Sequence, residues 1–281
     1  NSTLTIDPGV TLNFTAGSDI MGSGQDAAKG ELVVNGTLLA NGTAANKITL
    51  KSTNIAQSSW YGVVVDAAAT SANIAHTNIQ GSFAGIRSEA AGNALSASNV
   101  SIDTTYYGLY LTAGTPMFTN LAVQSSVYGA WVTGSASPTV TGCTLLNHSS
   151  TGVYVTMSGT TTTTNLTNCA ISGTTGASYG VYSYVTGSGN MTVNVTGSTL
   201  HANGQFGTGI QAGSNSGSIA TMNLKNSNVT SQSTGLYRPS GGSTTFNVTY
   251  SNIWNNSTNY NNVSPGTGCI SSNPLYVNAP T

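Results

Sequence analysis

The chain has 281 residues, only 5% of them charged, with a formal net charge of −1; ordinary soluble domains carry about a quarter charged residues. This near-neutrality gives no reason to expect nucleic acid, an acidic partner or an anionic membrane as a target. With 38% apolar residues in regular alternation and no apolar run approaching ~18 residues, the chain reads as folded and without membrane insertion by a helix. No signal peptide is recognisable, so it reads as a mature or excised segment.

The first fifty-odd residues read as short strands separated by turn-formers. Leu4-Thr-Ile-Asp-Pro-Gly-Val-Thr-Leu-Asn-Phe14 is followed by Gly30-Glu-Leu-Val-Val-Asn-Gly-Thr-Leu-Leu-Ala-Asn-Gly-Thr43 and then Lys47-Ile-Thr-Leu-Lys-Ser52. This order closely resembles the opening coils of right-handed parallel β-helix proteins of the pectin-lyase-like kind. The stretch between them, Ala16 to Lys29, is charged and Gly-rich and is expected as an exposed excursion.

From residue 60 a repeat takes over. Its first landmark is an apolar–polar alternation, seen at Ile74, Leu95, Phe118, Val140, Leu166, Val195, Leu224 and Val248, with starts 21 to 29 residues apart. Its second landmark is a glycine, often after Tyr, at Gly62, Gly85, Gly108, Gly129, Gly152, Gly180, Gly209 and Gly235. Alternation over four to six residues is strand periodicity, and a period in the twenties suits one coil of a parallel β-solenoid. The expected fold is therefore all-β: a single right-handed parallel β-helix of roughly 10–12 coils without obvious end caps. Its divisions are N-terminal coils over 1–59, a repeat array over 60–254 and a closing coil and tail over 255–281. The Thr- and Gly-rich insertions Ser158 to Thr164, Gly173 to Ser178 and Gly213 to Ser218 are expected as loops. The column Thr77, Ser98, Leu121, Cys143, Cys169, Ser198, Ser227, Ser251 is expected inside, beside a broken ladder of Asn78, Asn99, Asn228 and Asn252. The end, Tyr250 to Val277, resembles the closing stretch of bacterial and archaeal β-helix surface proteins, with Asn273 where an acidic residue usually stands.

Chemistry-bearing residues are few. Beyond Asp103 there is no Asp or Glu in 178 residues, whereas glycoside hydrolysis needs paired carboxylates and lyase chemistry a base, usually with a carboxylate-bound cation. Asp66 and Glu89 lie four residues past their glycines on adjacent coils, beside Arg87, and so could stack roughly 5 Å apart. They are weak metal candidates, set against the simpler reading of surface charges. His76, His148 and His201 fall at unrelated offsets, so no shared metal site is expected. No catalytic residue, metal or cofactor is assigned, and calcium has no supporting ligand set.

Cys143 and Cys169 fall in one column on successive coils, within disulfide range, and interior stacking of small residues explains them equally well. Cys269 is left over. Fourteen Asn-x-Ser/Thr sequons are candidates for N-glycosylation: Asn1, Asn13, Asn35, Asn41, Asn99, Asn147, Asn165, Asn190, Asn194, Asn228, Asn247, Asn255, Asn256 and Asn262. Glycans would solubilise a surface nearly free of charge.

These readings converge on an extracellular or cell-surface structural protein, N-glycosylated, a building block of a fibre, sheath, S-layer or adhesin. Its main partner is itself, end to end or laterally, because open strand edges template pairing. The rival reading is a polysaccharide-binding or polysaccharide-degrading β-helix, with Trp60, Tyr61, Tyr107, Tyr110, Tyr128, Trp131, Tyr154, Tyr179 and Tyr182 as a sugar-stacking stripe on surface carbohydrate. A weaker rival is an ice-binding surface built on the outward pairs Thr139/Thr141, Asn165/Thr167, Asn194/Thr196 and Asn247/Thr249.

Overall fold

Alternating apolar residues must all reach one interior if short strands are to bury anything, and coiling the chain achieves this. The computed structural model describes residues 2–174, 176, 179–202, 207–277 and 280. It is a β-solenoid with three faces, each coil contributing one strand to each face. The first face is a ten-stranded parallel sheet running from Thr3–Ile6 to Ser243–Thr249. The ten strands set the coil number at the low end of the expected range. The second face runs from Thr11–Phe14 to Asn252–Trp254 and the third from Glu31–Val34 to Thr258–Asn261, parallel throughout.

Three interior columns form the core. In the second face Leu12, Leu50, Ile79, Ile102, Val123, Leu145, Ile171, Leu200, Val229 and Ile253 stack in register, rung upon rung. From Leu50 onward all are at most 1% exposed. Burying one such side chain stabilises by about 1.5–3 kcal/mol, but only against the coils on either side.

The corner between the first and second faces has its own chemistry. The chain turns through a residue with positive φ, among them Asn99, Asn120, Gly142, Asn168, Gly197 and Asn226; Asn and Gly tolerate this left-handed conformation best. The next residue is buried and in most coils small. Ser198, Ser227 and Ser251 each donate Oγ–H to the carbonyl two residues back and accept the backbone N–H of the preceding coil's small residue. Cys143 accepts Leu121 N–H through Sγ at 3.3 Å. The expected interior column is thus real, with one slip: Ala97 and not Leu95 aligns with Phe118, so Val100 fills the column and Ser98 stands on the first face. A two-residue slip preserves alternation, which is why periodicity alone permits it.

Three further expectations are corrected. The insertion Ser158 to Thr164 is mostly strand: Thr161–Thr167 pairs along its full length with Asn190–Thr196. Thr is β-branched and sits well in strands despite its polarity, and here Thr162 and Thr164 turn inward. Gly213 and Ser214 likewise end a strand, whereas Gly173 to Ser178 falls partly outside the described residues. Of the expected Asn ladder beside the small-residue column only Asn228 and Asn252 pair in register, whereas a hydrogen-bonded ladder stands outside the first face, at Asn165, Asn194, Asn223 and Asn247. The C-terminal end is covered. The tail sets Thr267 O on Tyr250 N–H, bridges Ile270 to Asn252 and packs Val263 and Cys269 on the core, imitating part of another coil. It continues down the side, where Tyr276 meets Thr230 and His201.

Candidate functional site

The glycine landmark makes the corner between the second and third faces. A Cβ on Gly129 would lie 2.5 Å from the Gly152 carbonyl oxygen, and on Gly108 2.4 Å from that of Gly129. No larger residue fits between successive coils there. The residue before each of these glycines and the residue two after it point outward while the one between is core, so a Tyr-Gly-x-Tyr pattern repeated over coils becomes two outward columns. Tyr107, Tyr128, Thr151 and Tyr179 form one; Arg87, Tyr110, Trp131, Tyr154 and Tyr182 form the other.

Ring contacts run without a break from Tyr61 and Phe83 to Tyr182 and Tyr184. Phe83 meets Tyr107 edge-on at 5.3 Å, Tyr107 stacks on Tyr128 at 5.4 Å, and Trp131 lies 4.5 Å from Tyr154. Tyr154 and Tyr182 are nearly parallel at 4.9 Å, 8° apart. Such pairs stabilise by about 0.5–1.5 kcal/mol each beyond burial. Apart from Tyr61 the wall is half-buried. Burial first, then neighbouring phenols, pushes Tyr107 and Tyr182 up to about 12, so the wall presents neutral hydroxyls. One of the expected stripe residues is elsewhere and one is buried at the foot of the wall. Trp60 is fully interior, stacked on Phe14 at 4.1 Å with its Nε1–H on Gln80 O, and Tyr61 is only 4% exposed. Strand alternation assigns Trp60 inward, and its indole N–H found a carbonyl there.

The foot of the wall gathers charge. Five of the thirteen charged residues, Asp26, Lys29, Glu31, Arg87 and Glu89, meet where the 15–30 excursion folds back over the third face. Arg87 donates Nε–H to Glu89 at 2.7 Å, adds Nη2, gives Nη1–H to the Tyr61 hydroxyl at 2.6 Å and lies 4.8 Å over the Tyr110 ring. Burial opposes the guanidinium charge, but Tyr61 and Glu89 outweigh it and hold its pKa above the ordinary value. Gln25 ties the excursion to Glu89 at 3.3 Å. Glu31 Oε1 accepts the N–H groups of Gln25 and Asp26, while its Oε2 is buried with no partner. Burial raises the Glu31 pKa against those two donors. Sequence reasoning missed Glu31, although it pairs in register with Gly62, the first glycine landmark.

The two carboxylates singled out from sequence each have other partners. Asp66 Oδ1 accepts Ala68 N–H within its own turn, and Glu89 holds Arg87 and Gln25. Among the described residues no three His, Cys, Asp or Glu side chains come together as a metal would need. His148 and His201, expected apart, line one cavity of about 10 Å³ with Ser172 and Gln232, about enough for one water. Burial drives His148 down to about 4, and its Nδ1 has no partner; His201 Nδ1 faces the Thr230 hydroxyl at 3.0 Å. A shift in the pairing register between Leu145 and His148 hid this convergence from offset counting.

Cys143 and Cys169 are buried free thiols on adjacent coils, and Cys269 is a half-buried one. The hydrogen bond shared with Cys169, together with burial, pushes the Cys143 thiol up. Of the sequons, Asn165, Asn194 and Asn247 stand in the amide ladder. Asn13, Asn35, Asn41, Asn99, Asn147, Asn255 and Asn262 are exposed, Asn190 is exposed at a strand start, and Asn228 and Asn256 are half-buried. Asn1 lies outside the described residues.

No curated protein and no solved structure matches the chain. A model of the right-handed β-helix region matches residues 84–258, more than half of the chain and the part that carries the aromatic wall. The chain belongs to the right-handed β-helix family.

Proposed function

We propose that the chain is an extracellular structural protein, a building block of a surface fibre, sheath, S-layer or adhesin that works by presenting ordered surfaces and not by catalysis. The observation that supports this most directly is the use made of its polar side chains. Asn, Ser and Cys groups are engaged coil to coil, in the Asn165–Asn247 ladder and the Ser198–Ser251 stack, with donor–acceptor distances of 2.7–3.2 Å. Hydrogen-bonded stacks of this kind stiffen a one-dimensional array whose stability is a sum of neighbour contacts. Assembly of copies end to end or laterally is the arrangement this reading prefers, since a rod that repeats at one strand spacing fits a partner of the same period. Negative-stain microscopy of native material together with its intact mass tests the reading. Polymers and a mass above that of the bare chain are expected; monomers of bare mass at every concentration would defeat it.

The aromatic wall favours a second reading, a binding face for surface polysaccharide. Half-exposed Tyr and Trp combine apolar area with hydroxyls suited to hydrogen bonding with sugar hydroxyls. Affinity electrophoresis through pectin and alginate would show retardation that Trp131→Ala and Tyr154→Ala abolish. Asp66→Asn and Glu89→Gln serve as controls for any turnover. Equal mobility of wild type and variants in every polymer would eliminate this reading.

A further inference from the structure

Outside the first face, four successive coils present the same three outward columns. Thr163, Thr192, Thr221 and Thr245 form one; Asn165, Asn194, Asn223 and Asn247 the next; Thr167, Thr196, Lys225 and Thr249 the third. The four seven-residue strands pair in unbroken register, so the patch is regular in both directions: roughly 4.8 Å along the axis and about 6.6 Å, two residues, across it. In the middle column each amide is fixed. Asn194 Nδ2 donates to Asn165 Oδ1 at 2.8 Å, Asn223 Nδ2 to Asn194 Oδ1 at 2.7 Å, and Asn247 Nδ2 to Asn223 Oδ1 at 2.8 Å.

Three of these asparagines lie in sequons, yet Asn223 does not, being followed by Leu224 and Lys225. It makes the same hydrogen bonds as its neighbours. The column is therefore explained by the ladder and not by glycan attachment. The ladder also crowds out glycans, because each rung stands one strand spacing from the next and at Asn194 and Asn247 the nitrogen a sugar would occupy is one that donates.

We propose that this Thr–Asn–Thr face is the surface on which copies of the chain pack side by side, face against face. The proposal rests on the architectural reading above and names its lateral contact. Three features select a second copy as the occupant. A surface repeating at the strand spacing fits a partner with the same period, and another copy has it by construction, as stacked Asn ladders do between sheets. The patch is neutral but for Lys225 at one edge, so two copies do not repel. Pairing the amides along the axis leaves fewer groups to be stripped of water on contact. The footprint, about 20 Å by 14 Å from these strand and rung spacings, is well below the ~800 Å² per partner of a stable dimer. A single pair is thus weak, and the contact becomes effective when repeated along a fibre.

Sedimentation over rising protein concentration and microscopy of the concentrated sample test this, comparing wild type with Thr192→Arg/Thr245→Arg. Those positions are outward and not on neighbouring rungs, so the two charges leave the sheet intact; an unchanged melting curve verifies that, and exposed Ser149→Arg controls for added charge. The wild type and the control should associate with concentration and show laterally paired fibres. The double variant should lose lateral pairing, with self-association weakened at least about tenfold by like charges brought together. Single unpaired fibres in wild type, equal pairing in the double variant, or sugar on Asn165, Asn194 or Asn247 of the assembled protein would each overturn the proposal. Thermal hysteresis from a strictly monomeric wild type would assign the face to a crystalline lattice instead. Absence of fibres of any kind defeats the architectural reading, whereas fibres without lateral pairing defeat only this one.

Discussion

Gly129→Ala isolates the steric demand on which the third face depends. Gly129 has no positive φ, so the substitution adds a methyl group without backbone strain. That methyl would stand 2.5 Å from Gly152 O and 3.3 Å from Leu145 Cβ, whereas optimal contacts lie near 3.5 Å. Relief needs about 1 Å of coil separation, which stretches the adjacent ladder hydrogen bonds beyond useful length. Overpacking costs about 1–3 kcal/mol and one or two weakened hydrogen bonds add about 0.5–1.5 kcal/mol each. The alanine returns about 0.4–1 kcal/mol through the unfolded chain. The net loss is about 2–4 kcal/mol, or roughly 4–16 °C in melting temperature at about 2–4 °C per kcal/mol for a chain of this order of size. Gly30→Ala is the matched comparison, since its nearest neighbour is Ser18 O at an ordinary 3.4 Å and it too has no positive φ; its melting should move by no more than a degree or two. Thermal melts followed by circular dichroism decide the matter. If the two variants melted alike, close coil approach would not be what requires the glycine.

Other outcomes follow from the same geometry. Asn194→Ala removes two ladder hydrogen bonds and should destabilise by about 1–3 kcal/mol, while Asn73→Ala, exposed on the same face, should be near neutral in a parallel denaturant titration. Folded His148 is held down to about 4 by burial, below the ~6.5 of an unfolded histidine. The unfolded chain therefore binds the proton first, so stability present above pH ~6.5 should fall as pH drops towards 4. His148→Gln should flatten that part of the melting-temperature profile, and an unchanged slope would remove His148 from the account. Arg87→Met leaves the half-buried Glu89 and the buried Tyr61 without their Arg87 partner. A loss on the order of 1–3 kcal/mol is expected, smaller in the double variant with Glu89→Gln; additive losses would contradict a direct pair. Cys269 should react first with a thiol reagent and Cys143 and Cys169 only on unfolding, as their burial requires; simultaneous reaction of all three would place the coil interior within reach of solvent.

The alternation of Ile, Leu and Val, the spacing of glycines and the Asn or Gly at most of the corners dictate a coil by themselves, because each acts locally: period, steric allowance and turn preference are properties of a few adjacent residues. Trp60 and Tyr61 show where local rules suffice, since alternation alone sends one ring in and the other out. The Leu95 slip and the Thr161–Thr167 strand show where they do not, because a two-residue shift or a run of Thr satisfies alternation either way and only the neighbouring coil fixes the register. Sequence placed Asp66 beside Glu89 by counting from a glycine. Tertiary structure gave Glu89 to Arg87 and Gln25, brought in Glu31 through a folded-back excursion, and set His148 and His201 on one cavity despite unequal offsets. It also turned scattered Tyr-Gly and Asn-x-Thr patterns into an aromatic wall and an amide ladder. Those surfaces exist only across coils about 4.8 Å apart, between residues more than twenty positions apart in the chain, and that distance is what no local pattern encodes.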